Sequence, residues 1–111
     1  MDPAMLPAIA QHVARLLVER RFAELETASN GVRLSAKEIE EAVDEAGGRL
    51  TMPPGSVWEE LDAKAIRNRP GAFSVRFDLW TPAGRSDVSV ELTLYSRNGK
   101  PVIEVDGIHV L

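Results

Sequence analysis

Phe73-Ser74-Val75-Arg76-Phe77-Asp78-Leu79-Trp80 and Asp87-Val88-Ser89-Val90-Glu91-Leu92-Thr93-Leu94 are the two runs that decide the fold. In the first, Phe73, Val75, Phe77 and Leu79 alternate with Ser74, Arg76, Asp78 and Trp80. In the second, Val88, Val90, Leu92 and Leu94 alternate with Asp87, Ser89, Glu91 and Thr93. A two-residue period marks strands with one buried face. With Pro82–Arg85 as a four-residue loop, Phe73 faces Leu94, Val75 faces Leu92, Phe77 faces Val90 and Leu79 faces Val88. A slip of one residue would turn every inward side chain outward, so the register is well specified. Downstream, Asn98-Gly99 is a strong hairpin signal and sets Leu94 opposite Ile103 and Leu92 opposite Val105. Ile108 and Val110 fall out of phase with these, and a bulge at Asp106-Gly107 restores the alternation.

Upstream the pattern is helical. Leu6, Ile9, Val13, Leu16 and Leu17 recur at helical spacing over residues 5 to 20, with Pro3 and Pro7 suited to the start. Arg20-Arg21 marks a break before a shorter helical piece through Phe22 and Leu25, and Ser29-Asn30-Gly31 reads as a turn. A second helix spans 36–46, opened by the Ser35-x-x-Glu38 capping box and stopped by Gly47-Gly48. Leu50-Thr51-Met52 reads as a short strand before the Pro53-Pro54-Gly55 break, and Trp58 anchors the following loop to the core. Residues 58–66 carry both helical and strand signals. The expected fold is α+β, a single domain over 1–111: two N-terminal helices packed on one face of a three- to four-stranded antiparallel meander.

The composition of the 111 residues, 44% apolar and 27% charged, is that of a globular chain, with no apolar run long enough to span a membrane. The start, Met1-Asp2-Pro3-Ala4-Met5, lacks the basic stretch and apolar core of a signal peptide, so a cytoplasmic protein is expected. Zero cysteines exclude disulfides, thiolate nucleophiles and cysteine-based zinc sites. The two histidines, His12 and His109, lie on different elements without ligand spacing, and neither GxxxxGK[ST] nor GxGxxG occurs, so no metal and no cofactor is expected. The net charge of −4 disfavours nucleic acid and anionic membranes. All of that excess sits in residues 35–46, where Glu38, Glu40, Glu41, Asp44 and Glu45 oppose Lys37 alone.

The strand register also orders the outward side chains. Arg76, Glu91 and Asp106 should form one row, Ser74, Thr93 and Glu104 a second, and Asp78, Ser89 and His109 a third, with Trp80 beside Asp87. Aspartate, serine and histidine in one row do not make a hydrolase triad, because the histidine must stand between the other two. Arg76 between two acids reads as an ordinary cross-strand pairing. Trp80 stands out, since its strand's other row already fills the core and exposed tryptophans favour interfaces. A covering loop would equally account for it. On the second helix Glu38, Glu41 and Glu45 share one face, suited to solvent or to a basic partner.

Phe77-Asp78-Leu79-Trp80-Thr81, Gly84-Arg85-Ser86-Asp87, Glu91-Leu92-Thr93 and the ending Asp106-Gly107-Ile108-His109-Val110-Leu111 resemble a family of short uncharacterised bacterial proteins. The order of helices then meander is similar to cystatin-like, SnoaL-like α+β rolls, a superfamily of isomerases, cyclases, ligand-binding subunits and some toxin-immunity proteins. The resemblance implies a roll but no particular activity. Its enzymes place acid–base residues inside the cone, whereas Asp78, Glu91 and His109 here fall on outward rows.

The expected function is a non-enzymatic binding or interaction protein, a homodimer or the partner of another bacterial protein, with an immunity-type role as one version. Arg76, Asp78, Trp80, Glu91, Asp106 and His109 are the candidate contact residues, together with the acidic helix face. The alternative is a SnoaL-like small-molecule binder or enzyme with a pocket between helix and sheet, which requires His12 or Tyr95 to reach inside.

Overall fold

The computed structural model describes residues 1–29 and 33–110. Asn30, Gly31, Val32 and Leu111 lie outside the described residues, and with them most of the turn read at Ser29-Asn30-Gly31 and the end of the C-terminal motif. A 3-10 turn at Pro3–Met5 leads into α1 (Leu6–Val18), followed by α2 (Phe22–Ala28), α3 (Ala36–Glu45) and α4 (Gly55–Glu59). The strands are β1 (Asp62–Ala65), β2 (Phe73–Thr81), β3 (Gly84–Arg97) and β4 (Lys100–Val110), forming one antiparallel sheet in the order β1-β2-β3-β4. The expected α+β meander is present with four strands. Beside the two expected helices stand α2, which is the shorter helical piece expected through Phe22 and Leu25, and the short α4. Residues 58–66 divide between the end of α4 and β1, which is why their signals conflicted.

The register holds from Phe73↔Leu94 to Asp78↔Ser89, but the turn does not follow expectation. Instead of a four-residue loop, Thr81 pairs with Gly84 and Trp80 with Arg85, so Pro82-Ala83 alone make the turn. Gly84, at φ 122, supplies the left-handed residue that this tight connection needs. The shorter turn leaves three residues of β3 opposite one of β2. The Ser86 hydroxyl repairs the ladder there, donating to Leu79 O at 2.7 Å and accepting from Val88 N at 3.1 Å. Leu79 and Val88 thus do not pair, although both remain buried. At the other hairpin Asn98 and Gly99 both have positive φ (54 and 76), and Arg97 pairs with Lys100 as expected.

The inward rows Val75, Phe77, Leu79, Val88, Val90, Leu92, Leu94, Ile103 and Val105 pack against Leu6, Val13, Leu16 and Leu17 of α1 and Ile39 and Val43 of α3. The helices therefore cover one face of the sheet. Arg20, with φ 58, breaks α1 from α2, and its guanidinium donates to Gly48 O (2.8 Å) and to Asp44 Oδ1 (3.0 Å). That clamp ties the break to the end of α3. At the start of α3 the capping box is formed in both directions, Glu38 N to Ser35 Oγ and Ser35 N to Glu38 Oε1, each 3.2 Å. Ser35→Ala removes one of these and should lower stability by about 1 kcal/mol, read as a shift in a urea denaturation midpoint.

Candidate functional site

The outward rows of the sheet are the face that the helices leave open. Their centre is built from small hydroxyl residues on β3, Ser89 and Thr93, both buried beneath longer neighbours. Asp78 accepts from the Ser89 hydroxyl at 2.7 Å, and Arg85 Nε lies 3.9 Å from its other oxygen. His109 pairs with Ser89 in register but sends its Nε2 to Glu91, 3.5 Å away. The Ser89 proton is thus held by a carboxylate and the imidazole lies elsewhere, so the Asp78–Ser89–His109 row has no triad geometry.

Asp106 departs from its expected place. Glu91 pairs with Gly107, and Asp106 is the extra residue of the bulge. It is not left to water, because it accepts from the Thr93 hydroxyl at 2.6 Å and lies 3.2 Å from Arg33 Nε. Gly107 is there for close approach. A Cβ on it would come within 2.1 Å of the His109 ring, which lies over the strand at that point. This packing aims His109 at Glu91.

Arg76 stands between Asp62 and Glu91 in register and forms an ion pair with neither among the described residues. Trp80 does not lie beside Asp87, because the tighter turn puts Arg85 opposite it. Its backbone carbonyl accepts from Thr51 N at 2.8 Å, so the 50–54 segment continues the sheet edge past the end of β1. The residue as a whole is half-buried, but its indole N–H is itself buried and has no hydrogen-bond partner among the described residues. Glu60, Asp62, Arg76, Asp78, Trp80 and Arg85 border a cleft of about 210 Å³ that opens onto this face.

The acidic helix adjoins the same face. Glu38, Glu41 and Glu45 line a groove with Asp106 and His109 at the end of β4. The other two acids are tied differently, Asp44 and Glu40 lying 3.0 and 3.8 Å from Arg20. Lys37 is therefore not their only counter-charge. Arg20 precedes them by twenty residues or more in the chain, and no local spacing signalled its reach. Nearby Arg21 has its pKa raised, chiefly by its hydrogen bond to Glu24 and then by Glu19.

Sequence reasoning missed the grouping around Tyr95. The Arg69 and Arg97 guanidinium carbons lie 4.8 and 5.7 Å from its ring centroid, and its hydroxyl donates to Glu104 at 2.9 Å. Tyr95 is thus on the outward side and does not reach between helix and sheet. His12 is exposed, in a groove between α1 and α2. Neither residue meets the requirement of an interior pocket. Among the described residues no group of three or more His, Asp or Glu side chains is placed to hold a metal ion, and no helix is long and apolar enough to cross a membrane.

Fold and face together define an α+β protein with one helix-covered and one open side to an antiparallel meander. The chain belongs to the family described as a domain of unknown function, DUF7668, which matches residues 14–111. That span takes in the C-terminal end of α1 and every later element. No curated protein and no solved structure matches the chain significantly.

Proposed function

We propose that this chain is a non-enzymatic protein-interaction module that engages its partner through the open sheet face, with Arg76, Asp78, Trp80 and Glu91 at the contact. The observation that carries this is Trp80, half-buried at a cleft beside an arginine that has no ion pair among the described residues. Tryptophan and arginine are the side chains that most often dominate interface energies. The apolar inward rows support the non-enzymatic part, since they devote the interior to packing. An immunity-type role, in which Glu38, Glu41 and Glu45 cover a basic surface, is a narrower version. The way α1 lies on the inward rows supports a cystatin-like, SnoaL-like roll. The cysteine-free sequence supports a cytoplasmic setting, and the family resemblance a bacterial one.

The test compares immobilised wild type with Trp80→Ala and Arg76→Ala. Each variant should bind what the wild type binds about 30-fold more weakly. Arg15→Ala, on the exposed side of α1, should bind unchanged. Equal binding by all four proteins overturns the assignment of the open face.

A further inference from the structure

We propose that the occupant of the open face is a second copy of this chain, set antiparallel about a two-fold axis. The Arg69–Tyr95–Arg97 end of each copy then meets the Glu38, Glu41 and Glu45 face of the other. This rests on the reading of the open face as an interaction surface and names its partner.

Topology creates the two poles. Because Phe73 pairs with Leu94, the 66–72 connection and the Arg97–Lys100 hairpin lie at the same end of the sheet. They bring together Arg67, Arg69, Arg97 and Lys100, all exposed and without ion pairs among the described residues. The Tyr95 ring holds two of the guanidiniums by cation–π contact, which fixes long side chains that would otherwise lose entropy on docking. Of the carboxylates near this end, Glu104 is engaged by the Tyr95 hydroxyl, and Asp2, next to the Met1 that lies against Gly71, accepts from Ala4 N. The opposite end of β4 borders the acidic face of α3, whose Glu41 and Glu45 are likewise exposed and without ion pairs among the described residues. The exposed Glu38 has no ion pair there but accepts from Ser35 N in the capping box. From Lys100 to Gly107 the strand covers about 23 Å, more than two Debye lengths at physiological salt. The poles therefore barely neutralise each other within one copy.

Two copies laid parallel would set like poles together. Laid antiparallel they satisfy both poles at once, and the isologous contact closes as a dimer rather than growing into a filament. Between the poles, the Ser89 and Thr93 hydroxyls already donate hydrogen bonds to Asp78 and Asp106, so docking strands no hydroxyl donor there.

Sedimentation equilibrium of the full chain, at low and high ionic strength, tests this. The wild type should form a dimer that weakens as salt rises. The charge reversals Arg69→Glu/Arg97→Glu and Glu41→Lys/Glu45→Lys should each weaken it by about 100-fold or more. Mixed in equal amounts, those two variants should form a heterodimer, because both contacts become complementary again. Circular dichroism melts matching the wild type show that each variant is folded. A monomeric wild type, a dimer indifferent to the reversals, or no association in the mixture overturns the proposal. If inorganic phosphate shifts the Arg69 and Arg97 amide resonances while the wild type stays monomeric, the basic end binds small anions and the proposal falls. If the wild type is monomeric but Trp80→Ala still abolishes binding of another protein, only the self-docking fails and the open-face reading stands.

Discussion

Trp58→Ala is expected to destabilise the protein by about 3–5 kcal/mol, a large share of the roughly 5–15 kcal/mol typical of a whole domain. Trp58 sits on α4, a helix of five residues without a side-chain N-cap, far too short to persist by its own hydrogen bonds. Burial of the indole is what holds this segment down: the side chain is nearly inaccessible and meets Phe77 edge-on, with ring centroids 5.4 Å apart at 66°. Such pairs add about 0.5–1.5 kcal/mol beyond area alone. Trp58→Phe should therefore recover part of the loss, while leaving some volume empty. Urea denaturation followed by circular dichroism measures both variants. Trp80 remains as the sole tryptophan in each, so its fluorescence reports the cleft: Val57 and Glu60 line it, and releasing α4 should expose Trp80 further. A loss below about 1 kcal/mol for Trp58→Ala would mean that α4 is not anchored by this contact.

The parts of the structure that the sequence made legible are those set by local rules. Alternation of Phe73 to Leu79 against Val88 to Leu94 gave most of one pairing, and Asn98-Gly99 gave the other, because a hydrophobic period and a left-handed turn each act over a few residues. The capping box of α3 was readable for the same reason. Errors arose where a side chain replaced a backbone partner. The Ser86 hydroxyl lets β3 carry extra residues, which moved Trp80 from Asp87 to Arg85, and no hydropathy pattern encodes that exchange. At the bulge the position was right, but the occupant of the row was not: Asp106 turns to Thr93 and Arg33, and Gly107 takes its place opposite Glu91. The open-face residues Arg76, Asp78 and Glu91 were placed by register alone. Arg20 on α3, and Arg69 with Arg97 around Tyr95, depend on how distant segments close together, so a linear reading could not supply them.

Leu92→Ala should cost about 3–5 kcal/mol, the upper part of the range for a buried leucine. Leu92 lies at the middle of β3, paired with Val75 on one side and Val105 on the other, all three essentially inaccessible. Strands on both flanks, with α1 on the same side of the sheet, leave little freedom to collapse into the space, so most of the cavity should persist. Ile103→Val is the informative contrast. Ile103, at 9%, is the most exposed of the buried core residues, and losing one methyl from the rim should cost only about 0.5–1.5 kcal/mol. Equal losses from the two variants would mean that the core is not centred over β3. The cavity opens inside the core, away from the exposed charges proposed to dock, so folded Leu92→Ala should retain wild-type self-association well below its melting temperature. Stability and docking would then vary separately, as expected of a sheet that builds its core on one face and meets its partner with the other.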